Sequence, residues 1–279
     1  MVVHRFLFKF LIIFNCLFSQ ISLTISEYRP FPEQISILEI QPTKISWSIA
    51  NRFLLMDQYQ KDLLELGIFG DVTLSSVNSL TNQSYGEIVW MGLSPNGIWV
   101  LDRIENTISQ LDYRLNQIRS DQLALRIFPE NATIDSWGRI FLFSRTYNGI
   151  YIYEDNQFND VPFIDFSREF QTSFCLKDLE NNEDGEIAIL DCNGVIHIFN
   201  YLGEKQFTYE ANIQNPEFII PLRSHWVVFN RQGLGVEIKS NEYLQIPAAS
   251  LPVVDIKTQN KSIAVLSRDH ILILNAKFN

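Results

Sequence analysis

Six times along this chain an apolar–x–apolar–apolar run is closed by a small polar residue. The runs are Phe53-Leu54-Leu55-Met56-Asp57, Ile98-Trp99-Val100-Leu101-Asp102, Ile140-Phe141-Leu142-Phe143-Ser144, Ile187-Ala188-Ile189-Leu190-Asp191, Trp226-Val227-Val228-Phe229-Asn230 and Ile263-Ala264-Val265-Leu266-Ser267. Their starts lie 45, 42, 47, 39 and 37 residues apart, the period of a four-stranded propeller blade. Each run is short, apolar and bounded by turn residues, which is strand chemistry, and no long helical period competes with it. A unit this small cannot bury its own faces, so six copies must stack and close.

The spacing therefore predicts an all-β chain, a six-bladed β-propeller of four-stranded antiparallel blades. Blade two parses into strands at 87–94, 98–102, 107–112 and 118–123, and blade four into 174–178, 187–191, 195–199 and 205–209. Gly97, Gly138 and Gly185 follow a first strand and supply the backbone freedom of a tight turn. Blade six reaches 271–274 and then lacks a fourth strand, whereas an alternating segment at 34–41 precedes blade one. An open ring would expose two unpaired edges. The expectation is an N-terminal strand, residues 34–41, that completes the last blade, with 23–33 as an extended lead-in and 34–279 as the propeller.

The start of the chain has another character. Arg5 and Lys9 precede the apolar stretch 10–18, and Ser19, Gln20 and Ser22 follow it, which reads as a signal peptide over 1–22 and a secreted or periplasmic, cell-envelope protein. The apolar stretch is too short to span a bilayer, so no membrane span is expected after cleavage. The formal charge is −10, and loss of Arg5 and Lys9 makes it more negative, which argues against nucleic acid as a partner. In an exported chain Cys175 and Cys192 are a disulfide candidate. Equal counting from the turn at Glu183-Asp184-Gly185 sets them nearly opposite each other, while two free thiols are the alternative.

The stretch Asn96-Gly97-Ile98-Trp99-Val100-Leu101-Asp102, continued by Asn106-Thr107-Ile108-Ser109-Gln110-Leu111-Asp112, resembles NHL-type six-bladed propeller repeats. Asp184-Gly185-Glu186-Ile187-Ala188-Ile189-Leu190-Asp191 resembles them too, whereas blades one, five and six lack the glycine. The resemblance implies the architecture over about residues 34–279 and little about chemistry, because one fold hosts many activities.

Three sets of residues are candidates for function. The polar closers Asp57, Asp102, Ser144, Asp191, Asn230 and Ser267 recur in every blade, so a repeated structural duty in the following turn is expected of them. The next position holds Arg103, Arg145, Arg231 and Arg268, which the fold should gather with Arg168 on one face as a ligand-binding set. Arginine forks suit carboxylate or phosphate groups; pairing of each with a nearby acid is the alternative. Asp135, Asp178 and Asp255 fall in or just after inner strands and are the alternative set, as oxygen ligands for Ca²⁺. Some propellers similar to this one are lactonases with a divalent cation at the channel. No catalytic residue is assigned: His4, His197, His225 and His270 lack metal-ligand spacing, and no nucleophile elbow occurs.

These features favour a rigid binding platform over an enzyme. The expected partner is a protein or an extracellular polymer, acidic where the arginines meet it, with no cofactor, and the protein is a monomer or a subunit of an envelope assembly. The competing class is a hydrolase, lactonase-like, or a lyase with a cation in the channel.

Overall fold

The computed structural model describes residues 21–76, 84–170, 174–247 and 252–278. Its strands form six antiparallel sheets, five of them built from one sequence repeat and the sixth from the last repeat and an N-terminal strand, in the order expected of a propeller. Blade one comprises Lys44–Trp47, Phe53–Asp57, Asp62–Leu66 and Val72–Ser75, and blade two Ile88–Ser94, Gly97–Asp102, Thr107–Leu111 and Gln117–Gln122. Blade four comprises Leu176–Asn181, Ile187–Asp191, Val195–Phe199 and Lys205–Glu210, and blade five Pro216–Leu222, His225–Asn230, Leu234–Glu237 and Tyr243–Gln245. In blade three the inner strands Asn131–Ile134, Ile140–Ser144 and Gly149–Glu154 are regular, but the outer edge is split. Gln157–Phe158 and Ile164–Asp165 each pair with Gly149–Glu154, and a short helix Phe166–Glu169 follows.

The second strand of each blade carries the repeated motif because it is covered on every side. Two strands of its own sheet flank it, and the neighbouring blades close over both faces, so Phe53–Asp57, Ile140–Ser144 and Ile187–Asp191 are buried at every position. Outer strands meet solvent and are correspondingly polar, as Lys205–Glu210 shows. The apolar clusters lie between blades: Trp99 and Leu101 of blade two pack on Ala132, Ile140 and Leu142 of blade three. Leu55, Leu64 and Leu66 of blade one pack likewise on Ala264, Leu266, Ile271 and Ile273 of blade six, and that contact closes the ring.

An N-terminal strand does complete blade six, after Asp255–Gln259, Ser262–Leu266 and His270–Phe278, but it is Ile21–Pro30. Its register runs from Ile21 opposite Phe278 to Pro30 opposite His270. Residues 34–41, expected to fill that place, do not pair there; Glu33–Ile37 is a short helix preceded by Pro32. Pro32 is the extended N-cap residue, with φ −69° and ψ 154°, and Glu33 suits a helix N-terminus. The alternating isoleucines then serve a different geometry, with Ile35 buried and Ile37 69% exposed. The expected lead-in at 23–33 is thus mostly blade, and the propeller starts at Ile21. A leader ending at 22 would cut into this strand. Residues 1–20 of the expected signal peptide lie outside the described residues.

The polar closers do their structural work in the turn that follows. Asp57 Oδ1 accepts from the Tyr59 and Gln60 amides at 2.8 and 2.9 Å. Asp191 Oδ1 accepts from Asn193 and Val195, both at 2.8 Å, and Asn230 Oδ1 from Gln232 and Leu234, both at 3.0 Å. Asp102 reaches further, accepting from Glu105 at 3.0 Å and from the Gly86 and Glu87 amides of the incoming link.

Candidate functional site

The first strand of every blade lines a central channel, and period-2 alternation decides what it presents there. In blade one Lys44 and Ser46 share a face, in blade four Asp178 and Glu180, in blade six Asp255 and Lys257. The result is a hub of five ionisable groups. Lys44 Nζ lies 3.4 Å from Asp255 Oδ1, and Asp255 Oδ2 accepts from the Ile45 amide at 2.9 Å, tying blade six to blade one. Asp178 accepts from the Ile219 amide at 2.9 Å, tying blade four to blade five. Lys257 forms an ion pair with Glu180 across the channel, joining blades six and four.

Charges this poorly hydrated perturb one another. Burial pushes the Glu180 carboxyl up to about 7, although Lys257 pulls the other way. Burial also raises Asp178, partly offset by Lys44 and Lys257. Lys44 is held above the ordinary lysine range chiefly by Asp255. Burial disfavours the Lys257 ammonium, but Glu180, Asp255 and Asp178 outweigh it, so its pKa is raised too.

The hub separates two openings. At one end, on the side of the turns between first and second strands, a cavity of about 260 Å³ is bordered by Trp47, Trp90, Thr133, Glu180 and Lys257. At the other end, on the side of the turns after the second strands, a cavity of about 550 Å³ is bordered by Lys44, Lys177, Arg231 and Arg268. Asp178 and Glu217 are the acids there, so four cations face two carboxylates in a chain of net charge −10.

The five expected arginines thus divide. Arg231 and Arg268 border this mouth, and Arg103, Arg145 and Arg168 do not. Arg103 is paired with Glu87 at 2.7 Å, Arg145 with Glu130 at 2.9 Å and Arg168 with Asp165 at 3.1 Å. Arg231 is paired as well, with Glu217 at 2.8 Å, and Glu217 also holds Lys177 at 2.9 Å. Lys44, Lys177, Glu180 and Lys257 were missed in the sequence. For Lys44, Glu180 and Lys257 the available signal was i,i+2 spacing with Ser46, Asp178 and Asp255 in or just after first strands; Lys177, next to Asp178, carried no such signal.

The alternative acid set is not gathered. Asp178 and Asp255 face the channel, but two lysines sit among them. Asp135 caps its own turn, accepting from the Trp137 and Arg139 amides at 3.0 and 2.9 Å and pairing with Arg139 at 2.7 Å. Among the described residues no group of three His, Cys, Asp or Glu is placed to hold a metal ion, so Ca²⁺ does not fit Asp135, Asp178 and Asp255 together. His197 is buried against Phe170 and Phe174, His270 bonds Asp269, and His225 stacks on Phe278 beside Glu237.

Cys175 and Cys192 are joined as a disulfide, with Cα atoms 5.5 Å apart. The Cys192 amide donates to the Cys175 carbonyl at 3.0 Å, so the two residues are opposed on the ladder. The enclosed loop has a sequence separation of 17, for which loop closure contributes about 3 kcal/mol. Replacing both cysteines by serine is expected to lower the urea-unfolding free energy by about that amount, and reduction of the native protein to add two hydrogens in mass. An unchanged mass under reductant would show that the thiols are free.

No protein-family model matches the chain, and no curated protein matches it in sequence. Solved structures do resemble it. Virginiamycin B lyase from Staphylococcus aureus, in a catalytically inactive form with quinupristin, aligns with a TM-score of 0.61 at 13% identity, over 92% of this chain and 99% of that one. The Pan2 WD40 domain of Neurospora crassa aligns with a TM-score of 0.60 at 8% identity, over 91% and 95%. The WD40 propeller of Doa1 aligns with a TM-score of 0.56 at 14% identity, over 83% and 77%. A lyase and WD40 domains stand side by side in this set, so the likeness establishes the fold alone.

Proposed function

We propose that this chain is an exported binding platform whose partner, a protein or an extracellular polymer, presents acidic groups to the basic mouth. The observation that carries the reading is the convergence of Lys44, Lys177, Arg231 and Arg268 around one cavity of an otherwise acidic molecule. A closed propeller holds such groups on a stiff frame, so binding costs little ordering of the scaffold. Export is supported by the basic and apolar start of the sequence, and kinship with NHL-type repeats by the motifs of blades two and four.

The test is capture from native extract by the immobilised protein. Wild type should retain an acidic partner that elutes with salt, because exposed charge contacts are screened. The Arg231→Gln/Arg268→Gln double variant should lose at least tenfold in retention, since charge-assisted hydrogen bonds are worth about 1.5–3 kcal/mol each. Equal retention by wild type and double variant would remove this face as the binding surface.

A further inference from the structure

One position recurs around the ring, where the residue after the second strand meets the start of the first. In blade two Arg103 donates its backbone amide to the Glu87 carbonyl at 2.9 Å while its guanidinium holds the Glu87 carboxylate. Blade three pairs Arg145 with Glu130, and blade five pairs Arg231 with Glu217. Blade four fills the same place with the Cys175–Cys192 disulfide, on the same ladder hydrogen bond. Four blades therefore clasp their first strand to this turn by an ion pair or a covalent bond.

Blade six breaks the pattern. Asp255 lies opposite Leu266, and continuing that register brings Val254 and Val253 to the place where the other blades carry glutamate or cysteine. Arg268 consequently has no carboxylate partner among the described residues, and it is exposed. Its neighbour Asp269 is engaged with His270 Nδ1 at 2.7 Å. The links outside the described residues, 77–83, 171–173 and 248–251, contain no Asp or Glu, and neither do residues 1–20. The uncommitted guanidinium borders the 550 Å³ cavity together with Lys44, and Pro252 and Val254, backed by the buried Phe218 and Val253, form an apolar wall beside it.

Resting on the binding-platform reading, we propose that Arg268 anchors a carboxylate of an extended acidic peptide in this mouth. The planar fork of arginine matches a carboxylate through two parallel hydrogen bonds, which a lysine cannot reproduce. Lys44, held from below by Asp255, offers a second positive group deeper in the cavity. Pro252 and Val254, accessible at the cavity edge with Phe218 and Val253 packed behind them, take an aliphatic side chain next to the acid, which selects a peptide of mixed acidic and apolar residues over a uniformly polar polymer. Glu217 already neutralises Arg231 and Lys177 in part, leaving Arg268 as the specificity-determining cation.

The experiment is fluorescence anisotropy with a labelled five-residue peptide alternating Glu and Leu, and its twin with Gln in place of Glu. The Glu peptide should bind at least tenfold more tightly than the twin. Arg268→Gln should cost at least tenfold, and Arg268→Lys should restore only part of that loss, because charge returns without the fork. Arg114→Gln, at the turn after the third strand of blade two on the opposite face, should stay within twofold of wild type. Equal binding of the two peptides, or wild-type affinity in Arg268→Gln, would overturn the proposal. Displacement of the peptide by inorganic phosphate at lower concentration than by acetate would overturn the carboxylate assignment. If wild type binds neither peptide yet retains a salt-eluted partner from extract through Arg231 and Arg268, the peptide chemistry is wrong and the platform reading stands.

Discussion

Deleting residues 1–30 is expected to abolish cooperative folding of the propeller, whereas deleting residues 1–20 should leave its thermal transition unchanged. The difference between the two truncations is the strand Ile21–Pro30. It supplies the fourth strand of blade six through a ladder of nine paired residues. Ile21 is buried in a cluster with Phe218, Leu222, Leu274 and Ala276, and Leu23 packs against that cluster. Arg29 is also buried; it donates to the Asn51 carbonyl at 2.9 Å and lies over the Phe53 ring at 4.9 Å from the centroid, which couples blade six to blade one. A buried aliphatic side chain such as Ile21 is worth about 1.5–3 kcal/mol, the partly buried Leu23 less, and each lost ladder hydrogen bond about 1 kcal/mol. The sum is on the order of 5–10 kcal/mol, comparable to the whole stability of a folded domain. The uncovered edge His270–Phe278 would moreover be free to pair with another copy. Calorimetry and gel filtration of the two truncations decide the matter: a monomeric 1–30 deletion with the parental melting temperature would refute closure by this strand.

The parts of this architecture that were legible in the sequence are those whose environment is uniform. Second strands are buried on all sides, so Phe53–Asp57, Ile140–Ser144 and Ile187–Asp191 keep an unbroken apolar signature whose bounds the sequence reading matched. Outer strands face water on one side and have weak patterns, and the outer edge of blade three is split into two two-residue strands. The closing strand was misplaced for a related reason. Ile21, Leu23 and Ile25 alternate with polar residues as an outer strand should, but they abut the apolar start of the chain and were assigned to it and to the lead-in. Residues 34–41 alternate too, and only Pro32 and Glu33 announce the helix that forms there.

The candidate site was half legible for a comparable reason. The recurrence of arginine after the second strand was visible, but its partners lie about one hairpin upstream in sequence, as Glu87 does from Arg103. The hairpin counting that sets Cys175 opposite Cys192 also sets Glu87 opposite Arg103, and would have separated paired arginines from Arg268. The hub was missed because charged residues in a first strand are normally read as solvent-facing. Here the face is turned into a channel shared by six blades, so the charges of blades one, four and six become one another's environment.

That shared environment gives Lys257→Met the largest expected effect of any single substitution at the site. In the native hub two lysines face Asp178, Glu180 and Asp255; the variant leaves three carboxylates with Lys44 alone. Removing one partner of a buried ion pair costs about 3–5 kcal/mol, because the other charge stays behind without compensation. The loss should depend on pH, and the sign follows from Glu180. Its pKa is about 7 in the folded chain against an ordinary value of 4.5, so the folded state holds the proton more tightly than the unfolded one. The associated stability is fully present below pH 4.5 and disappears as pH rises through 7, in total about 3 kcal/mol at about 1.4 kcal/mol per pKa unit. Wild type should therefore lose about 2 kcal/mol between pH 5.5 and 8. Glu180→Gln, which leaves two lysines facing two aspartates, should show little of that slope. In Lys257→Met the ammonium that pulled the Glu180 pKa down is gone, so that pKa climbs further, and the penalty should be greater at pH 8 than at pH 5.5. Urea midpoints of the three proteins at the two pH values test this directly. A Lys257→Met penalty that is the same at both, or a wild-type slope retained in Glu180→Gln, would mean that Glu180 is not the group that titrates in the hub.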